Sequence, residues 1–89
     1  MLEFADEAGR HRRKFAALDA LLHEKSVTRA ARRLGVGQPA VSHALARLRD
    51  HFKDELLVLV GRDYVLTARA EKLASVVANA TRALSEVFE

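Results

Sequence analysis

Apolar residues in the first half of the chain recur at intervals of three and four, the spacing that gives an α-helix one buried face. A first helix is predicted over residues 11–25, with an apolar face made of Phe15, Leu18, Leu21 and Leu22. A short second helix is predicted over residues 28–34, with an inner face of Ala30, Ala31 and Leu34. Ser26 or Thr28 can cap its first turn, and Gly35 can end it in the left-handed conformation typical of helix ends.

A third helix is predicted from about Gly37 to Lys53. Pro39 suits its first turn, where a missing N–H is not needed. Its buried stripe is predicted to contain Val41, Ala44, Leu45, Leu48 and Phe52, and its outer face Ser42, His43, Arg47 and Arg49. Val36, in the turn before it, is expected to return to the core.

The periodicity then changes to that of a β-hairpin and returns to that of a helix. The apolar run at residues 56–60 predicts a strand, residues 61–63 a turn, and residues 64–66 a return strand. Thr67 can cap a last helix over residues 68–88, and Glu71 matches the dipole at its start.

Apolar residues of the last helix alternate in steps of four and three, as in the seam of a coiled coil. The predicted dimer interface consists of Leu73, Val76, Val77, Ala80, Leu84, Val87 and Phe88. Alternatively, this seam packs within the chain. A dimer is favoured because three short helices and a hairpin cannot cover a helix of this length.

The steep crossing of two helices through a tight turn defines a helix-turn-helix. The sequence has a small residue for the helix crossing at Ala31 and a turn residue at Gly35. Two apolar residues that could fill the space between the helices follow, Val36 and Val41. The predicted fold class is therefore mainly α: a winged helix-turn-helix over residues 11–66, followed by a linker or dimerisation helix over residues 67–89. Residues 1–10 form an N-terminal extension. An ordinary helix hairpin in a bundle is the alternative.

Charge is distributed unevenly along the 89 residues. Residues 10–53 contain eleven Lys or Arg against three acids, a net charge of +8, although the whole chain carries only +3. A basic centre of this kind is typical of a surface that binds a polyanion. A solvated charged surface would give the same count.

Several classes of function are disfavoured by composition. The chain has no cysteine, which excludes disulfides and thiolate metal sites and fits a reducing cytoplasm. The four histidines lack metal-ligand spacing, and no histidine–acid pair serves Ser42 as a nucleophile. We therefore expect no metal, no cofactor and no enzymatic activity. No apolar run is long enough to span a membrane, and the mixed charges of the last helix do not suit a membrane surface.

Polar and basic side chains cluster where a DNA-reading helix needs them. Gln38, Ser42 and His43 lie near the start of the third helix, where a recognition helix contacts bases. Basic residues that could contact phosphates precede and follow them: Arg29, Arg32, Arg33, Arg47 and Arg49. Arg62 at the hairpin tip could reach the minor groove.

Consecutive motifs in this order resemble the DNA-binding domain of LysR-type bacterial transcriptional regulators. These motifs are the stretches at residues 17–22, 26–34, 38–42 and 45–50. The chain after them is similar to the subgroup of nodulation-gene and aromatic-degradation regulators, at residues 54–56, 61–62, 66–67 and 70–71. The similarity covers residues 15–89.

The resemblance implies a homodimer, paired through its linker helices, that reads a dyad-symmetric operator in double-stranded DNA at the nucleoid. By motif position, the base contacts are Gln38, Pro39, Ser42 and His43, and the phosphate contacts include Ser26, Thr28, Arg29 and Arg49. Whole members of the family carry an effector-binding domain. Residues 1–89 cannot build that pocket, so this stretch is expected to bind no small-molecule effector.

Three positions depart from the family pattern. Gly37 stands where serine or threonine is usual, so a helix cap is expected to be missing. His43 replaces a frequent arginine in the reading helix, and Val60 replaces one in the wing. A dimerisation or protein-interaction module that has lost DNA binding is therefore the alternative function, although the arginines have no evident use in it.

Overall fold

The computed structural model describes the backbone of residues 2–88 and the side chains of residues 12–88. Its elements are, in chain order, α1 (Leu2–Glu24), α2 (Val27–Leu34), α3 (Gln38–Phe52), β1 (Leu57–Val60), β2 (Asp63–Leu66) and α4 (Ala68–Val87). The predicted order of elements is confirmed. α1 begins at Leu2, well before the predicted start at residue 11.

Both ends of α2 form as predicted. The Ser26 Oγ accepts a hydrogen bond from the backbone N–H of Arg29 at 3.1 Å, so Ser26 rather than Thr28 is the cap. Gly35 ends the helix with φ +69°, and its N–H bonds the carbonyls of Ala31 and Arg32. These caps satisfy backbone groups that an eight-residue helix would otherwise leave unpaired.

The core lies where α1 packs against α2, α3 and α4. Ala30 and Ala31 of α2 are buried, and their small side chains let α2 approach its neighbouring helices closely. The predicted stripe of α3 is confirmed, with Val41, Leu45 and Leu48 buried and Ala44 and Phe52 packed against them.

Val36 does not return to the core, and that prediction is wrong. Its N–H bonds the carbonyl of Ala31 at 3.0 Å, which completes the helix end after the left-handed Gly35. This geometry turns the side chain outward, and it remains 47% exposed. Of the two apolar residues predicted to fill the space between the helices, only Val41 is buried.

β1 and β2 form an antiparallel hairpin whose register runs from Leu57 opposite Leu66 to Val60 opposite Asp63. The turn is therefore only Gly61 and Arg62, and Asp63, predicted in the turn, begins β2. Leu57 is buried, whereas Leu59 and Val60 are exposed. The hairpin is thus anchored at its open end and projects its tip into solvent, as a wing does.

α4 begins at the predicted cap, where the Thr67 Oγ1 accepts a hydrogen bond from the N–H of Ala70 at 3.1 Å. Ala70 and Val77 are its buried residues, and both join the core. Within the described part of the chain, no helix combines the length and apolar character needed to cross a membrane.

Candidate nucleic-acid interface

The start of α3 presents a polar face to solvent. All four residues proposed from the sequence as base contacts are exposed: Gln38, Pro39, Ser42 and His43. They belong to the first two turns of the helix, at the positions from which a recognition helix reads base edges. The buried stripe on its other side fixes the helix against α1 and α2, so the polar face is held rigidly.

The first turn of α3 also keeps its backbone donors open. Gly37 precedes it with φ −78° and makes no side-chain cap, as the departure from the family pattern predicted. Pro39 lies within this turn, where its missing N–H is not needed. Uncapped N–H groups at a helix start can donate hydrogen bonds to a phosphate oxygen.

The arginines of α2 fall into two groups. Arg29 donates from its Nη2 to the carbonyl of Glu24 at 2.8 Å, and Arg33 donates from its Nη1 to the Glu24 Oε2 at 3.1 Å. Arg32 is exposed and has no hydrogen bond or ion pair with any side chain among residues 12–88. Glu24 therefore neutralises part of the positive charge of α2, whereas the charge of Arg32 is available to bind an external anion.

Arg49 has a structural role that the sequence did not reveal. Its Nε donates to the carbonyl of Glu55 and its Nη2 to the carbonyl of Leu57, both at 2.8 Å. Its Nε also lies 3.7 Å from the Glu55 carboxylate. These bonds hold the start of β1 against the end of α3. The phosphate contact of Arg49 stays a prediction, and the same guanidinium would have to make it while keeping these bonds.

Asp54 ties the same junction to α4. Its Oδ2 accepts hydrogen bonds from the Thr67 hydroxyl at 2.6 Å and from the Leu56 N–H at 2.8 Å. The hydroxyl bond, then the amide bond and the nearby charge of Arg69, hold the pKa of the Asp54 carboxyl below its ordinary value. The sequence predicts Thr67 as the cap of α4 but not its bond to Asp54, because the two residues lie on opposite sides of the hairpin in the chain.

Other predicted phosphate ligands lie around this reading face. Thr28 and Arg47 are exposed, whereas Ser26 is half-buried because its hydroxyl serves as the α2 cap. Arg62 is exposed at the wing tip beside Gly61, whose φ of +65° forms the turn. Among the side chains of residues 12–88, no group of three or more His, Cys, Asp or Glu could hold a metal ion.

The predicted seam of α4 is divided by burial. Leu84, Val87 and Phe88 are 55%, 71% and 84% exposed, and Val76 is exposed beside them. Leu73 and Ala80 are half-buried. Val77 is only 5% exposed and packs in the core of its own chain, so its assignment to a dimer interface is corrected: its surface is already used within the protomer.

Comparison with known proteins gives a family and a fold. The family model of bacterial regulatory helix-turn-helix proteins of the lysR family matches residues 12–71. Nodulation protein D 1 of Neorhizobium galegae is 56% identical over 61 residues, which are 68% of this chain and 20% of that protein. Nodulation protein D 2 of Bradyrhizobium diazoefficiens is 53% identical over 64 residues, 72% of this chain and 19% of that protein. The chain thus spans about a fifth of the length of these relatives, and the predicted subgroup is confirmed on its nodulation side.

Two solved structures have the same architecture. The probable transcriptional regulator PA0477 of Pseudomonas aeruginosa superposes with a TM-score of 0.80 at 43% identity, over 86% of this chain and 26% of that one. The DNA-binding domain of BenM in complex with catB site 1 DNA superposes with a TM-score of 0.75 at 21% identity, over 85% of both chains. The predicted winged helix-turn-helix with a linker helix is therefore confirmed.

Proposed function

Because the chain belongs to the lysR family of bacterial regulatory helix-turn-helix proteins, we propose that it binds double-stranded DNA at particular sequences and thereby regulates transcription. The observation that carries this proposal is the polar, solvent-exposed start of α3, rigidly backed by the core and bordered by cations. An exposed helix of this kind fits the major groove, where each base pair presents a distinct pattern of donors and acceptors.

In this proposal the first two turns of α3 read the bases through Gln38, Pro39, Ser42 and His43. Phosphates on either side are bound by residues of α2, α3 and their caps: Ser26, Thr28, Arg29, Arg32, Arg33, Arg47 and Arg49. Arg32 and Arg47 contribute most, because neither has a partner among the described side chains that it must leave. Arg29 and Arg33 exchange Glu24 for phosphate, and Arg62 carries the wing into the minor groove.

We further propose that the chain binds DNA as a homodimer through α4. The support is the apolar surface of Val76, Leu84, Val87 and Phe88, which this chain leaves exposed. Burial of such side chains releases roughly 25 cal/mol for each Å² removed from water. Residues 11–66 then act as the reader and residues 67–89 as the linker, and two readers related by a twofold axis require an operator with the same symmetry.

Selection from a pool of random duplexes, followed by footprinting on the enriched sequence, tests the sequence preference and its symmetry together. We expect an inverted repeat with one protected half-site for each protomer. Enrichment of a single unrepeated site would contradict the dimer, and no enrichment would contradict sequence-specific binding.

Paired substitutions test which side chains read bases. Gln38→Ala and Ser42→Ala should change the preferred operator, since one good base contact contributes about 1–3 kcal/mol of discrimination. Arg32→Ala is the matched control, because loss of a phosphate contact weakens binding to all sequences alike. The assignment of the reading face fails if Gln38→Ala and Ser42→Ala both keep the wild-type sequence preference.

A further inference from the structure

A hollow of about 280 Å³ lies between α1 and α3 and is bordered by basic side chains. Arg13 and Lys14 line it from α1, and His43 and Arg47 line it from α3. Its remaining walls are apolar and are formed by Ala40, Ala44 and Leu48. We call this feature the basic hollow, and no acidic side chain among residues 12–88 lines it.

The cations of the basic hollow are not neutralised by the described part of the protein. Arg13, Lys14 and Arg47 make no hydrogen bond or ion pair with any side chain of residues 12–88, and all three are exposed. Arg33, by contrast, binds the carboxylate of Glu24 at 3.1 Å. Like charges that converge from two helices repel one another, and a bound anion would remove that repulsion.

The position of the basic hollow indicates which anion it meets. Residues 40, 43, 44 and 47 follow one another at helical spacing, so they form one stripe along α3. His43 belongs both to this stripe and to the proposed base-reading face, which places the hollow at the border of that face. A helix about 10–12 Å across fills a major groove about 12 Å wide, so the surface beside its reading face meets the sugar–phosphate strand.

We propose that the basic hollow binds a backbone phosphate of the DNA whose bases α3 reads. Arg13 and Lys14 would be its donors from α1, outside the helix-turn-helix itself, and Arg47 would close it from α3. This inference rests on the proposed function and extends it: α1, which otherwise supplies core residues, becomes part of the DNA-binding surface. A free phosphate offers the same chemistry, so the test separates the two sources.

The experiment compares Arg13→Gln and Lys14→Gln with Arg12→Gln, an exposed neighbour on α1 that does not line the hollow. Each variant loses one positive charge, so the net charge is matched. Affinity for a fluorescent duplex is measured by anisotropy at several salt concentrations. Loss of one phosphate contact should flatten the slope of log affinity against log salt by about 0.9. Circular dichroism checks that every variant is folded.

We expect the flatter slope for Arg13→Gln and Lys14→Gln, and a slope close to wild type for Arg12→Gln. Equal slopes for all three variants would overturn the inference while leaving the proposed function intact, since the wild-type chain would still bind DNA. Failure of the wild-type chain to bind any duplex would instead overturn the proposed function, and the inference with it.

A second arm titrates the wild-type chain with inorganic phosphate and follows the backbone amide signals of residues 40–47 by NMR. Small, unsaturated shifts are expected, because one phosphate held by exposed side chains binds weakly without the rest of the duplex. Saturable binding of phosphate, together with unchanged salt slopes in the variants, would identify a free-anion site and overturn the assignment to DNA.

Discussion

Leu56, at the junction between α3 and the wing, has a positive φ of 66°, which is unusual for a residue with a side chain. Three interactions hold it there. Its side chain is buried, its N–H donates to the Asp54 carboxylate, and its carbonyl accepts from the Thr67 N–H at 3.0 Å. Asp54 is therefore the residue whose ionisation decides how well this strained junction is held.

The first prediction concerns pH. The pKa of Asp54 is lowered on folding by the bonds from Thr67 and Leu56, so its contribution to stability is complete above the unfolded value of about 3.9. That contribution is lost as pH falls through the lower folded pKa. Asp54→Asn should reduce the free energy of unfolding at pH 6, and its difference from wild type should shrink towards pH 3.

Urea denaturation between pH 3 and pH 6 measures this difference. Asp63→Asn is the control: Asp63 is exposed in the wing and makes no side-chain hydrogen bond with other residues among 12–88. A difference between wild type and Asp54→Asn that is constant across this pH range would contradict the proposed role of the carboxylate.

The second prediction concerns Gly35, whose φ of +69° lies in the left-handed region. A Cβ added there would meet no atom within 4 Å, so the cost of Gly35→Ala is conformational and amounts to about 1 kcal/mol. Gly37→Ser is the matched comparison, since φ −78° suits any residue and a serine cap should add a few tenths of a kcal/mol. Thermal melts should show opposite signs, and a neutral Gly35→Ala would refute the argument.

At the scale of elements, the orientation of the wing depends on Arg49. Its guanidinium donates to the carbonyls of Glu55 and Leu57, which lie at the start of the wing. The Asp54 carboxylate accepts from the Leu56 N–H between them and from Thr67 at the start of α4. Arg69 also lies over the Phe52 ring at 5.7 Å, a cation–π contact between α3 and α4. The reading helix, the wing and the linker helix therefore share one junction, which fixes the wing relative to the reading face.

α4 is used differently along its length. Its first half packs on the core through Ala70 and Val77, whereas Leu84 and Val87 in its last turns are exposed. An apolar surface that its own domain does not cover is typical of an interface. The dimer proposed above thus rests on Val76 and on the exposed apolar residues of the second half of the helix.

The third prediction is that Leu84→Glu yields monomers that bind an operator more weakly. The reason is that a charge placed in an apolar interface loses its hydration without gaining a partner. Ser75→Glu is the control, since Ser75 is exposed and lies nine residues away, about two and a half turns and hence on the opposite side of α4. Analytical ultracentrifugation gives the oligomeric state, and a dimeric Leu84→Glu would reject the interface.

At the scale of the whole molecule, the shape is elongated, with principal extents of 46 × 27 × 26 Å. Most of the basic residues precede α4, whereas α4 carries the exposed apolar side chains of the proposed interface. Under the proposed function, this separation would let the reader bind the polyanion while α4 joins two copies. The spacing between the two readers of that dimer would then be set by the rigid linker helices rather than by the DNA.

The fourth prediction follows from that rigidity. In the operator recovered by selection, insertion of about five base pairs between the half-sites should weaken binding strongly, because it turns one half-site to the opposite face of the duplex. Insertion of ten returns that half-site to the same face of the duplex but moves it about 34 Å farther away, so a rigid dimer should regain little affinity. Anisotropy titrations on the three duplexes provide the measurement, and equal affinities would indicate that each reader binds alone.

Local rules were sufficient for the elements of this protein. The cap at Thr67, the helix end at Gly35 and the stripe of α3 depend on neighbours within a few residues, so the sequence determined them. The α2 cap was limited to two candidates in the same way, and the structure selected Ser26. The reading face was equally accessible, since a helix with one apolar stripe must present its other residues to solvent. The exposure of Gln38, Ser42 and His43 followed directly.

Only the tertiary structure decided which side chains are already engaged. Arg49 and Asp54 bond to carbonyl and hydroxyl groups that belong to other elements. Val77 packs in the core of its own chain, although its spacing along α4 suits a dimer seam. Arg13 and His43 lie thirty residues apart in the chain and line one hollow only because α1 packs on α3. Periodicity gives the direction of a side chain from its own helix, whereas its partners depend on how the helices pack together.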